Sequence, residues 1–487
     1  MLLNLATLIV TALGWGGLLW FRLPINLANF SPLSLIALHV GPPLLVTLWV
    51  WLWQRARNKR VAMVEAERAA AEAEKNAAVR TAAQAVYDER MAQRRFACDC
   101  RAVAVAGLVA QNEGVADLLP EGEGIYWGLV DAEEMVDFSD PLEALTPYLE
   151  EALTELYQHS PAAIWLPHFI SPPHDVAGEM LLAKVREAAC TAAAQVVDEE
   201  VPSVLVRFLP EAGHTTERFL GLFESDQALP GAVVLGFDSP LVRRGPVDED
   251  AFPGDEEPAE REVRYWQGLP GQAVAALLLT APWLERQAAD LRVDVIETAD
   301  ADAYTPYWER NHASDNDAWL ARIPAIWRAS LVDAPILACL HRGGSRQAGQ
   351  EVVRPLALAN FCLAALDRAL VNAGLRDMPF GAESPAEPKA PLNESCCWLV
   401  HHAGAVECGG TRLAALGNAL TYFGIDLHPV DEASNSVVQF GHVGRALPLL
   451  LSALTVAHAA RDGGAVCAEF PSPSEVATWL ALAPAQT

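Results

Sequence analysis

Two almost uninterrupted apolar runs, Leu2 to Trp20 and Leu33 to Trp53, restrict this chain before any other feature does. Each has about the ~20 residues that a helix needs to cross hydrocarbon, where the backbone finds no hydrogen-bond partner outside its own helix. Following each other so closely, they predict a transmembrane hairpin. The first run lacks a basic leader and a small-residue cleavage site, so it is expected to stay as an anchor. The segment Phe21 to Pro32 carries one arginine, whereas Arg55, Arg57, Lys59 and Arg60 follow the second run directly. By the positive-inside bias, the short N-terminus and the long C-terminal part both face the cytoplasm of a bacterial inner membrane, in a two-pass arrangement. Trp15, Trp20, Trp49, Trp51 and Trp53 suit the interfacial belts. His39, followed by Gly41-Pro42-Pro43, marks a kink near the middle of the second run. An intramembrane histidine is a functional candidate by default, but neither run holds an acidic partner for it, and the reading is a kinked anchor.

Val61 to about Arg95 is rich in Ala, Glu and Arg without Gly or Pro, which predicts one continuous helix, a stalk of roughly 50 Å at 1.5 Å per residue. The globular part begins near Phe96. Candidate buried strands are Arg101–Val109, Ile125–Val130, Ala162–Leu166 and Pro202–Leu209, and helices are expected over Pro141–Tyr157 and Val176–Val197. Strands alternating with helices imply an α/β body. Val247 to Glu262 and Arg376 to Asn393, acidic and proline-bearing, are expected as exposed loops or linkers. The expected division is 1–60 anchor, 61–97 stalk, 98–290 and 291–487 two halves of the body. The net charge of −28, with 62 acidic against 34 basic residues, excludes nucleic acid as a natural partner because phosphates would be repelled. Nine cysteines, an odd number scattered through apolar runs, fit a reducing compartment.

Near the C-terminus, Asn435 to His458 reads as a short apolar strand running into Gly441-His-Val-Gly444 and then a long apolar helix. Upstream lie Trp398-Leu-Val-His-His-Ala-Gly404, a Cys-Gly-Gly-Thr loop at Cys408–Thr411 and a helix over Arg412–Phe423. Downstream lies the strand Gly464–Phe470. In that order these segments resemble the C-terminal half of the thiolase and β-ketoacyl synthase superfamily. Gly231-Ala-Val-Val-Leu-Gly-Phe-Asp238, followed after an interval by Gly268-Leu-Pro-Gly-Gln-Ala, resembles paired core strands of the N-terminal half. The resemblance implies a thiolase-like two-half α/β body, a duplicated layered α-β-α-β-α arrangement, and a homodimer. It also implies that His402 and His442 belong to the active site, with His401 adjacent.

Enzymes of that superfamily transfer acyl groups through an activated cysteine helped by histidines. The turn where the resemblance places the nucleophile reads Val206-Arg-Phe-Leu-Pro-Glu-Ala-Gly-His-Thr-Thr216 and contains no cysteine. His214 or Thr215 stands in the open position, and Cys190 falls inside the preceding helix as a packing thiol. The lysine that ketosynthases usually carry five residues before the Gly-His histidine is Val437 here. The expectation is therefore a degenerate member, a pseudoenzyme in which no residue is catalytic. His402 and His442 are the catalytic candidates if the chain is instead a divergent acyltransferase or condensing enzyme acting on acyl thioesters. Cys98-Asp-Cys100 and Cys396-Cys397 lack a second ligand pair, so neither a metal nor a cofactor is expected. Cys408-Gly-Gly and Gly463-Gly464 are too short for a phosphate loop, and no Gly-x-Ser-x-Gly elbow occurs. A membrane-tethered scaffold with a protein partner follows. In overall organisation the chain is similar to adaptors that load lipase effectors onto the type VI secretion spike.

Overall fold

The structure, a computed structural model, describes residues 2–21, 31–109, 119–131, 140–171, 178–198, 203–211, 213–244, 268–289, 291–292, 319–348, 355–378 and 391–484. The acidic stretch 247–262, most of the linker expected at 376–393, and position 290 lie outside them. The chain forms two compact units, Met1–Glu89 and Arg90–Thr487.

The first unit consists of α1 (Leu2–Phe21) and most of α2 (Pro32–Arg94). With 63 residues, α2 is about 95 Å long. Among the described residues it is the one helix long and apolar enough to cross a membrane, while Ala6–Phe21 is a shorter apolar helix. The second apolar run and the expected stalk are thus one helix, because no residue between Trp53 and Arg94 interrupts it. Pro42 and Pro43 lie inside α2, which runs on past them. α1 packs on α2 through Trp15 Nε1–H to Leu38 O (2.8 Å) and Trp20 Nε1–H to His39 Nε2 (3.2 Å). His39 Nδ1 lies 2.9 Å from Leu35 O one turn earlier on α2, so the ring is fixed by its own helix on one side and takes the α1 indole on the other.

The second unit is built on one hydrogen-bonded sheet whose strands are β1 (Ala97–Val109), β2 (Ile125–Asp131), β3 (His168–Ser171), β4 (Val206–Phe208), β5 (Gly231–Asp238), β6 (Gln272–Thr280), β7 (Ala338–His341), β8 (Gly344–Gln347), β9 (Trp398–His401), β10 (Ala433–Asn435), β11 (Gly464–Ser472) and β12 (Glu475–Leu482). Along the sheet the order is β10-β9-β11-β12-β7-β1-β6-β5-β3-β4, with β2 on β1 and β8 on β12. Cut between β7 and β1, this order gives the same pattern twice. In each half three strands run parallel, β4-β3-β5 and β10-β9-β11, and two follow antiparallel, β6-β1 and β12-β7. β1 pairs with β7 antiparallel over Ala97–Cys100 and joins the halves. The helices repeat too: α3 (Pro141–His159), α4 (Gly178–Val196) and α5 (Thr215–Ser225) correspond to α6 (Pro355–Asn372), α7 (Val406–Tyr422) and α8 (Leu447–Asp462).

Alternation along the strands divides the core into three clusters. Ala102, Ala104, Val233, Leu235, Val274 and Ala276 face α3 and α4. Val103, Val105, Ala232, Val234, Ala275 and Leu277 face the opposite way, into a cluster that holds α5, α8 and the inward residues Val400, Cys467 and Trp479 of the second half. Leu399, Val466, Val476 and Leu480 pack on α6 and α7. The two halves of the sheet thus share a middle helix layer and each carries an outer one: five layers, α-β-α-β-α, the architecture that the resemblance implies. Strands buried on both faces read as largely apolar runs, which is why most of β1 was legible from its residues, while β5, β6 and β11 were placed with the help of the resemblance.

Three elements differ from expectation. Pro161–Trp165 is a 3₁₀ turn and the strand begins beyond Pro167, at His168. Cys408–Thr411 lies inside α7, not in a loop. Only Ala433–Asn435 is extended before the Gly-His turn, and Ser436–Phe440 is a short helix. The second half also contains β7, β8 and β12, which the sequence pattern did not announce.

Candidate functional site

In each half the helix of the middle layer follows the edge strand, β4 into α5 and β10 through the short helix into α8, so both helices begin at one place. A cavity of about 1050 Å³ opens there, lined by Thr215 at the start of α5 and by Leu447 and Pro448 at the start of α8. His402 reaches it from the end of β9, Glu469 from the end of β11, and His442 from the turn before α8. The three positions singled out by resemblance, His402, His442 and the His214-Thr215 pair, are brought together.

His442 is placed by its backbone. Its N–H donates to Leu269 O (2.6 Å) and its carbonyl accepts from Gly271 N–H (2.9 Å), so the Gly268-Leu-Pro-Gly271 turn clamps the Gly441-His-Val-Gly444 turn. Gly441 has φ 71° and Gly444 φ 57°, left-handed values that suit glycine. At Gly444 a Cβ would also run into the Asp238 carboxylate. That carboxylate accepts from Arg445 N–H (2.8 Å) and Ser239 N–H (2.9 Å).

His402 is buried, with its ring edge-on to Phe470 at 5.8 Å. Phe470 N–H donates to His402 Nε2 (2.8 Å), which assigns the ring proton to Nδ1. Burial, aided by the Arg412 charge, pushes its pKa down to about 3, so the ring is neutral. His401 points away: its Nε2–H donates to Pro429 O (2.8 Å) and its Nδ1 accepts from Ala403 N–H (3.2 Å), a packing role.

Thr215 starts α5, directly after His214, in the turn where the resemblance expects the nucleophile. Its hydroxyl donates to Glu469 Oε2 (3.0 Å), and Glu469 Oε1 accepts from Trp479 Nε1–H (2.9 Å). Burial raises the Glu469 pKa above its ordinary value, against the pull of these two donors and of His214 and Arg218. His214 Nε2 stands 3.5 Å from Glu475 Oε1. No cysteine lines the cavity among the described residues. Cys190 lies on α4, packed against the outer cluster of the first half. Val437, where a lysine would be expected, contributes apolar wall.

Glu469 was not anticipated, although a signal existed: it is the lone charge in the apolar strand Ala465-Val-Cys-Ala-Glu-Phe470. Arg218 and Asp238, also on the cavity wall, carried no comparable mark. Chemically the arrangement offers a hydroxyl on a buried carboxylate and a neutral imidazole whose Nε2 is already taken. It offers no thiolate, and among the described residues no cluster of His, Cys, Asp or Glu could hold a metal.

No family model matches the sequence, and no curated protein does. Among solved structures the chain is similar to peroxisomal 3-ketoacyl-CoA thiolase of Saccharomyces cerevisiae, a five-layered structure built from two core domains of identical topology, at 10% identity over 80% of this chain and 98% of that one, TM-score 0.38. It is similar to 3-oxoacyl-(acyl carrier protein) synthase III from Pseudomonas aeruginosa PAO1 at 12% identity over 80% and 98%, TM-score 0.38. Human mitochondrial 3-ketoacyl-CoA thiolase is 8% identical over 80% and 99%, TM-score 0.40. With one strand order used twice, five layers, and two middle-layer helices starting at a common cavity, the globular unit of this chain has a thiolase-like fold.

Proposed function

We propose that the protein is a membrane-anchored pseudoenzyme, a non-catalytic thiolase-fold scaffold. In this reading two N-terminal helices hold it in a bacterial inner membrane, with the globular unit in the cytoplasm, where it binds a protein partner as an adaptor. A secretion effector is the class of partner that the overall organisation suggests, as in type VI effector loading. The single observation behind the non-catalytic reading is the occupant of the nucleophile position: the Thr215 hydroxyl, a far weaker nucleophile than a thiolate, is tied to Glu469 at 3.0 Å. The His402 imidazole supports it, since a ring nitrogen that accepts from a main-chain amide cannot donate to a thioester oxygen. Incubation of the purified protein with an acyl-CoA, followed by intact mass and free-thiol release, tests this. No adduct and no thiol release are expected, and acylated Cys190 or catalytic thiol release would end the proposal.

A second reading, a divergent acyltransferase at the membrane, has one observation in its favour: Glu469 is hydrogen-bonded to the hydroxyl whose proton it would have to take. In that case the acyl group goes to Thr215 with His402 and His442 beside it. An acyl adduct on Thr215 that disappears in Thr215→Val would establish it.

A further inference from the structure

The charges of this chain are sorted by position. Residues 1–60 hold five cations and no acid, and residues 61–487 hold 29 cations and 62 acids. Four of the five cations, Arg55, Arg57, Lys59 and Arg60, are packed into about one and a half turns of α2, immediately after the apolar run, and all four are exposed. The first acid anywhere in the chain is Glu65.

Their placement around the helix is ordered. At 100° per residue, Trp51, Arg55 and Lys59 share one face, and Trp53, Arg57 and Arg60 the opposite one. On each face an arginine lies over the tryptophan one turn before it, Arg55 at 5.2 Å from the Trp51 ring centre and Arg57 at 5.6 Å from that of Trp53. The indoles are themselves exposed, 39% for Trp51 and 53% for Trp53. On the first face Trp51, Gln54, Arg55, Asn58, Lys59 and Ala62 line a shallow depression, so that two cations and two side-chain amides converge over an aromatic floor. Indoles prefer the headgroup level, and cations directly beyond it stand among lipid phosphates.

We propose that Arg55, Arg57, Lys59 and Arg60 form a collar on α2 that binds the phosphate headgroups of anionic phospholipids, with the Trp51–Lys59 face as the defined headgroup site. This rests on the reading of α2 as a membrane-crossing helix. The occupant is specified by charge complementarity: the chain beyond residue 60 carries −33 and is repelled by an anionic leaflet, whereas the collar sets four cations within six residues beside the apolar run. The collar ties the anchor to anionic lipid and offsets that repulsion.

The test uses the full-length protein in mixed phosphatidylcholine and phosphatidylglycerol nanodiscs, with the retained lipids counted by native mass spectrometry. The wild type should retain phosphatidylglycerol preferentially, with the preference falling on average about fivefold per cation over the four removals. Arg55→Gln with Lys59→Gln should cost more than Arg57→Gln with Arg60→Gln. Equal retention of the two lipids by the wild type, or an undiminished preference in the fourfold glutamine variant, overturns the collar. Equal loss from the two double variants overturns the defined face. Displacement of the lipid by inorganic phosphate would mark a site for soluble anions and overturn the lipid assignment. Carbonate extraction separates the two readings. A wild type that stays in the membrane pellet without lipid preference sinks the collar alone, whereas one released by carbonate removes the membrane-crossing reading and the collar with it.

Discussion

Placing Glu469 under the cavity strips its carboxylate of water, and Thr215 and Trp479 return only two hydrogen bonds. Its folded pKa therefore lies above the unfolded value, so the unfolded chain releases the proton first as pH rises. Stability from this group is present in acid and is lost as pH climbs from the ordinary value near 4.5 toward the raised one. Glu469→Gln keeps an acceptor oxygen and cannot ionise. Relative to wild type, the variant should thus become progressively more stable as pH rises above about 4.5, until the raised pKa is passed, as read by thermal denaturation. A stability difference that does not move with pH would show that the carboxyl carries no such penalty.

At the scale of the element, α7 shows how two adjacent glycines come to do different things. A Cβ on Gly409 would sit 2.3 Å from Ala403 O, so the helix can approach the end of β9, and with it His402, only because that residue has no side chain. Around Gly410 nothing lies within 4 Å. Gly409→Ala should cost about 1–3 kcal/mol and displace the β9 end, because backbone atoms cannot give way as a flexible side chain would. Gly410→Ala should gain roughly 0.5–1 kcal/mol by restricting the unfolded chain at a helical site. Denaturant titration of the two variants checks both signs. Equal effects would mean that the close approach does not constrain the helix.

Over the whole molecule, five imidazoles dominate the response to acid. His168, His341, His401 and His458 are pushed by burial to about 4, and His402 to about 3, each starting from 6.5 in the unfolded chain. Here the folded pKa is below the unfolded one, so unfolding takes up protons below pH 6.5 and stability is lost as pH falls. Each site withdraws about 1 kcal/mol by pH 5.5. The raised carboxyls Glu469 and Asp99 act in the opposite sense but are fewer. The globular unit should melt at a distinctly lower temperature at pH 5.5 than at pH 7, and a flat profile would contradict neutral burial. The piece from Phe96 onward contains the whole of all three core clusters. It should fold without the anchor and run as a dimer in sizing with light scattering, as the resemblance implies; a clean monomer would overturn the dimer.

What the chain determined by itself were the features that local pattern controls. Apolar length produced the N-terminal helices, an Ala/Glu/Arg run without breakers carried α2 onward, and burial between helix layers made β1, β5, β6 and β11 mostly apolar runs. His402 and His442 were singled out by the resemblance of their segments to the thiolase and β-ketoacyl synthase superfamily, not by a local rule. Tertiary structure decided the rest. β3, β7 and β8 are four residues each and owe their pairing to neighbouring strands rather than to composition. Cys408–Thr411 is helical because close packing on Ala403 rewards a bare glycine where local propensity argues for a loop. The bond from Thr215 to Glu469 joins residues 254 positions apart. No local rule encodes it, because only the meeting of the two halves around shared middle helices brings a hydroxyl from one to a carboxylate from the other.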